Sequence, residues 1–221
     1  MECKPFKFKL SSSVQISGPS NIGKTWFTSQ VLRYADQLIE PSPDIIFYCY
    51  SVYQAELFEK LKIWCKGKIH FLDGLESLQK IKFDPKVRHA LVLDDLMHEV
   101  GNSEFASNLF TKISHHGNVL VLFITQNIYL KSKYMPTINK NIKYNVVFRN
   151  KRFRHELETL ARQTLGIRPV HIHRIMDLAA AENKYPYIIL DLNNDTPETK
   201  SIVTNVLPGS EHPQAYYYVE E

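Results

Sequence analysis

Apolar residues follow two periods along this chain, and their alternation predicts an α/β fold. Unbroken apolar runs occur at Ile45-Ile46-Phe47-Tyr48-Cys49-Tyr50, at Ala90-Leu91-Val92-Leu93 and at Val119-Leu120-Val121-Leu122-Phe123-Ile124. Such runs suit strands buried on both faces of a parallel sheet. Tyr144-Asn145-Val146-Val147-Phe148-Arg149 and Tyr187-Ile188-Ile189-Leu190-Asp191 read as further strands, Val14-Gln15-Ile16 as a short one, and Ile69-His70-Phe71-Leu72 as a short edge strand. Phe6-Lys7-Phe8-Lys9-Leu10 alternates apolar and basic residues, the pattern of a half-exposed strand leading into the core strand. Helical spacing fills the intervals: Trp26 to Leu38, Glu56 to Trp64, Leu75 to Leu78, Ser103 to His115, Arg154 to Leu165 and His171 to Asn183. Ser103 is a natural N-cap, and Gly166 stands where a helix ends on glycine. Pro41-Ser42-Pro43-Asp44 is a breaker cluster. With no internal repeat or linker, residues 1–208 read as a single domain, and residues 209–221 as a flexible tail.

Composition narrows the class without deciding it. An apolar share of 44% over 221 residues allows one sizeable core. A net charge of +4 is compatible with nucleic acid but does not require it. The three cysteines, Cys3, Cys49 and Cys65, form neither a disulfide framework nor a metal-binding pair, which favours a reducing compartment. No run approaches the ~20 apolar residues of a membrane helix. Met1-Glu2-Cys3-Lys4-Pro5 lacks a signal-peptide core, so the expected location is inside the cell and not secreted.

Between the first core strand and the first long helix lies Gly18-Pro19-Ser20-Asn21-Ile22-Gly23-Lys24-Thr25, a match to G-x-x-x-x-G-K-[ST]. Glycine at both ends lets the backbone turn its N–H groups towards phosphate. Lys24 supplies a mobile positive charge for the β- and γ-phosphates of ATP, and Thr25 a hydroxyl for Mg²⁺. Strand, loop and helix in this order also place the phosphates at a helix N-terminus. Downstream, Ala90 to Leu93 ends in Asp94-Asp95, at the strand end where open α/β sheets bind ligands. Asp94 is then the metal-side carboxylate and Asp95 the group that polarises water. Alone, the same pair also reads as a strand end and a helix cap.

Chain order leaves one subclass question open. In kinase-like P-loop proteins the loop strand and the carboxylate strand are neighbours; in the additional-strand class of RecA-like motors, AAA+ proteins and helicases another strand lies between them. Gln126, at the tip of the strongest strand, leans towards the second, because an amide can sense γ-phosphate and orient water at once. It also reads as an ordinary polar strand end. The expected fold is thus a P-loop NTPase of RecA-like, additional-strand type: a three-layer sandwich on a mostly parallel sheet. Among histidines, His115 and His116 point in different directions on a helix, and His171 and His173 lack partners of metal-site spacing in the sequence.

Several segments together sharpen the picture: ISGPSNIGKT (16–25), VLDDLM (92–97), LFTKISHHGNVLVLFITQN (109–127), VVFRNKR (146–152), ARQ (161–163) and PYIILDLNNDTPE (186–198). In these the chain resembles the viral genome-packaging ATPases of the FtsK/HerA superfamily. It looks most like the small forms of Polinton/Maverick elements and adintovirus-like viruses, with poxvirus packaging ATPases more distant. The likeness spans roughly residues 10–208. It implies an ATPase that assembles as a homo-oligomeric ring and drives double-stranded DNA, without sequence preference, into a capsid through a portal. The setting would be the host nucleus or cytoplasm. It also implies that Asp95 stands where many family motors carry a glutamate, one methylene longer, with Glu99 a weaker alternative base. A ring motor completes its site with an arginine from the neighbouring subunit. Arg149 and Arg152 lead the choices, followed by Arg154, with Lys112 an outsider. The same residues also read as a solvated or DNA-contacting face. Basic segments Lys131-Ser132-Lys133-Tyr134 and Lys140 to Lys143 are the candidate DNA contacts. Two other functions compete: a non-catalytic nucleotide-binding assembly factor, and a P-loop nucleoside or nucleotide kinase.

Overall fold

The computed structural model describes residues 5–151, 154–182, 184–209 and 215–217. Their strands are β1 (Phe8–Lys9), β2 (Ser13–Ser17), β3 (Ile39–Glu40), β4 (Ile45–Tyr50), β5 (Ile69–Asp73), β6 (His89–Asp94), β7 (Val119–Thr125), β8 (Tyr144–Phe148), β9 (Tyr187–Asp191), β10 (Ile202–Thr204) and β11 (Ala215–Tyr217). Nine of these make one sheet in the order β11-β10-β9-β8-β2-β7-β6-β4-β5. Neighbours from β8 to β5 are all parallel; β9, β10 and β11 extend the other edge antiparallel.

The helices are α1 (Lys24–Arg33), α2 (Ala35–Leu38), α3 (Ala55–Trp64), α4 (Gly74–Gln79), α5 (Met97–Asn102) and α6 (Glu104–Asn108). A π-helical turn (Leu109–Ile113) follows, then α7 (Ser114–His116), α8 (Met135–Asn141), α9 (Arg154–Leu165) and α10 (Pro169–Glu182). Strand alternation sorts them into two outer layers. Leu120, Leu122 and Ile124 of β7 pack with Phe27, Val31 and Leu32 of α1 and Phe58 and Leu61 of α3. Val119, Val121 and Phe123 face the other way, onto Val100 of α5, Ala106 of α6, Phe110 of the π-turn and Met135 and Ile138 of α8. On that same face, Val147, Ile188 and Leu190 pack with α9 and α10. Burial on both faces explains why the parallel strands read as unbroken apolar runs.

The structure departs from the sequence expectation at several places. The Phe6–Leu10 segment does not run into the main sheet. Only Phe8 and Lys9 are extended, they pair with β3, and Ser11 at φ 60° turns the chain before β2. The helix expected over Trp26 to Leu38 begins at Lys24 and breaks at Tyr34 into α1 and α2. The helix from Ser103 keeps its cap, since Ser103 Oγ accepts from Ala106 N–H, but widens into a π-turn. There the Thr111 and Ser114 hydroxyls bond back to the carbonyls of Ser107 and Phe110, a competition that loosens helices. Helix α8 was not expected; its Pro136 falls in the first helical turn, where proline is tolerated. Of the segment expected to be a flexible tail, 210–214 and 218–221 lie outside the described residues, while Ala215–Tyr217 pair with β10. Among the described residues, no helix is long and apolar enough to cross a membrane.

Candidate nucleotide-binding site

The phosphate-loop segment leaves β2 and enters α1 with the local geometry its residues allow. Gly18 N–H donates to Thr125 O at 3.3 Å, tying the start of the loop to the end of β7. Asn21 sits at φ 61° and Gly23 at φ 103°. Asparagine tolerates the left-handed region and glycine enters it without strain. A Cβ on Gly23 would also come within 3.1 Å of the Tyr185 ring. Helix α1 then starts at Lys24 with unpaired N–H groups facing the loop. Lys24 Nζ is buried and donates to Gly18 O at 2.7 Å and Pro19 O at 2.8 Å.

Opposite the loop stand the two carboxylates. Asp94 is the buried last residue of β6, and the hydroxyl of Tyr48, from neighbouring β4, donates to its Oδ2 at 2.7 Å. Asp95 leaves the strand at φ 56°, a conformation aspartate enters more readily than most residues. This turn exposes its carboxylate, and Ser51 Oγ lies 3.4 Å from its Oδ2. Gln126, one residue beyond β7, is exposed between loop and carboxylates. Ser20, Asn21, Lys24, Thr25, Asp94, Asp95 and Gln126 line one cleft of about 220 Å³. It is smaller than the ~300–1,000 Å³ pockets that enclose whole small-molecule ligands.

Strand order decides the subclass. Strand β7 pairs with β2 on one side and with β6 on the other, so it separates the loop strand from the carboxylate strand. The fold is that of the additional-strand P-loop NTPases. No family model matches the chain, and no curated protein matches it. Among solved structures it is similar to a KaiC-like protein of the hyperthermophilic archaeon Pyrococcus horikoshii OT3. Identity there is 18% over 65% of this chain and 76% of that one, with a TM-score of 0.40. It is also similar to the flagellar accessory protein FlaH from Methanocaldococcus jannaschii, at 9% identity over 65% of this chain and 74% of that one, with a TM-score of 0.47. The fold assignment rests on the strand order and the loop.

Charge in the cleft is set by burial. Desolvation pushes the Lys24 ammonium below its ordinary pKa, and the charges of Asp94 and Asp95 pull it part of the way back. Desolvation likewise pushes Asp94 up; the Tyr48 hydrogen bond opposes this, the Asp95 charge reinforces it, and Lys24 opposes it. A carboxylate whose folded pKa is raised destabilises the folded chain once it ionises above that pKa. The penalty disappears as pH falls towards the ordinary aspartate value near ~3.9. Asp94→Asn keeps an acceptor for Tyr48 and removes the charge. In metal-free buffer at pH 7 it should therefore melt above the wild type, by about 2–4 °C for each kcal/mol relieved. Calorimetric scans at falling pH should show the gap closing as the pH approaches ~4.

The remaining site expectations divide. Arg149, at the end of β8, donates from Nη2 to Asp177 Oδ1 of α10 at 2.7 Å, beside Gly18 and Gln126 in a second, smaller cleft. Arg154 is exposed at the start of α9 and lines the same cleft. Arg152 lies outside the described residues. Lys112 is exposed on the π-turn. Glu99 is exposed on α5 and does not line the carboxylate cleft. The two basic segments do not form one patch. Lys131 and Lys133 follow the C-terminal end of β7, whereas Lys143 N–H bonds Ser13 O, at the opposite end of the sheet. His173, without a partner by sequence spacing, meets Glu158 across α9 and α10 at 2.6 Å. Cys49 and Cys65 are free and buried, and burial pushes their thiols up to about 12 and about 11. Sequence spacing had no signal for the Tyr48–Asp94 pair, whose members are 46 residues apart.

Proposed function

We propose that this chain is the ATP-hydrolysing subunit of a ring motor that drives double-stranded DNA into capsids, a relative of the FtsK/HerA packaging ATPases. The observation that carries the reading is the convergence of Lys24, Thr25, Asp94, Asp95 and Gln126 on one cleft through an interposed β7. Support for the packaging family comes from the combination of segments 92–97 and 109–127 with the loop. Bound ATP lays its β- and γ-phosphates against the loop N–H groups, and Lys24 exchanges the carbonyls of Gly18 and Pro19 for phosphate oxygens. A hard divalent cation fits the oxygen donors of Thr25 and Asp94, and Mg²⁺ there would neutralise charge developing on the phosphates. Tyr48 holds the Asp94 carboxylate in place. Asp95 orients a water and accepts its proton as the water oxygen bonds the γ-phosphorus and the bond to the β–γ bridging oxygen breaks, giving ADP and phosphate. Gln126 hydrogen bonds both water and γ-phosphate.

The trans arginine of such a ring comes from the 149–154 segment. Arg149 must first leave Asp177 to serve, whereas Arg154 is exposed. Lys131 and Lys133 follow DNA phosphates from the nucleotide end of the sheet. A second reading, a nucleotide-binding assembly factor without turnover, draws on the short Asp95 side chain, with Ser51 3.4 Å away. The kinase reading loses its ground, because the loop and carboxylate strands are not neighbours. Displacement of a third strand from linear duplex DNA tests the motor. ATP-dependent displacement, lost in Lys24→Ala, is the expected result; ATP turnover without displacement would overturn the motor reading.

A further inference from the structure

An aromatic pair stands beside the loop and outside the carboxylate cleft. Trp26 occupies the first turn of α1, directly after Thr25, and its side chain is 49% exposed. Its ring lies 5.9 Å from that of Tyr185, tilted by 41°. Tyr185 in turn rests on the backbone of Gly23, where a Cβ would come within 3.1 Å of its ring. Its height above the loop is thus set by the same glycine that shapes the loop. The segment carrying Tyr185 is fastened to the end of β8, since Arg149 N–H donates to Pro186 O at 3.0 Å. Lys184 Nζ sits 5.5 Å from the centre of the Tyr185 ring.

We propose that Trp26, backed by Tyr185, is the nucleobase subsite: a platform on which the purine of the bound nucleotide stacks. The inference rests on the phosphate-binding role proposed for the loop and adds to it. The lining of the carboxylate cleft suits phosphates and an ion, and among the described residues it offers a base no aromatic partner. The first-turn N–H groups of α1 that can hold the innermost phosphate belong to Thr25 and Trp26 themselves. The ribose and base therefore emerge next to the indole. An exposed indole with an electron-rich face offers a base what a polar surface cannot, because stacking on an aromatic ring stabilises any base.

Calorimetric titration with ATP and with inorganic tripolyphosphate, both with Mg²⁺, separates base from phosphate. The wild type should bind ATP more tightly than tripolyphosphate. Trp26→Ala should weaken ATP about tenfold and leave tripolyphosphate unchanged, and Trp26→Phe should restore most of the loss. Unchanged ATP affinity in Trp26→Ala would overturn the platform, whatever that variant does to oligomeric state. So would equal weakening of ATP and tripolyphosphate, which marks damage to the loop. If tripolyphosphate fails to bind the wild type at all, the phosphate role itself falls, an outcome distinct from loss of the base contribution alone.

Discussion

Lys24→Ala should abolish ATP turnover, with kcat reduced by at least ~10²–10³ and nucleotide affinity lost alongside it. The ammonium is buried at the mouth of the loop, on the carbonyls of Gly18 and Pro19, so a phosphate that displaces them meets a charge already in place. No other cation lines the cleft among the described residues. The substitution should not unfold the chain. Burial holds the Lys24 pKa below its ordinary value, so its charge weakens the folded state at every pH below that folded pKa, and the penalty fades only as pH rises towards the unfolded value. Removing the charge relieves that penalty, although it also leaves Asp94 without its counter-charge. The melting temperature should therefore stay within a few degrees of wild type while turnover vanishes. Calorimetric melting and steady-state hydrolysis on the same preparation check both halves.

Asp95→Asn should lower kcat by about 10²–10⁴ while ATP affinity changes only a few-fold. The substitution is informative because asparagine accepts the left-handed backbone as readily as aspartate. The turn at φ 56° and the course into α5 are kept, and only the carboxylate that takes the proton from water is lost. Single-turnover hydrolysis with enzyme in saturating excess over ATP separates this from a binding defect. A kcat within threefold of wild type would remove Asp95 from the reaction.

Much of this architecture was legible in the chain because burial on both faces leaves a strong local mark. The apolar runs of β4, β6, β7 and β9 could be read without neighbours, as could the loop, whose glycines and lysine lie within eight residues. What stayed hidden depends on pairings between distant segments. The place of β7 between β2 and β6 is a property of the sheet, and Gln126 only hinted at it. Three-residue β10 and β11 are too short for a period to show, and antiparallel pairing extended the sheet through them. In the cleft, the identities of Asp94 and Asp95 were readable, but not their difference: one buried under the Tyr48 hydroxyl, the other turned out of the strand. Likewise, a list of arginines could not reveal that Arg149 is held by Asp177, 28 residues on.

Steady-state ATP hydrolysis by the purified protein, with and without linear double-stranded DNA, shows whether the cleft turns over ATP and whether DNA drives it. A DNA-coupled ATPase should show turnover that rises on adding DNA and is lost in both Lys24→Ala and Asp95→Asn. Tight ATP binding with no turnover, whether or not DNA is present, would contradict that reading.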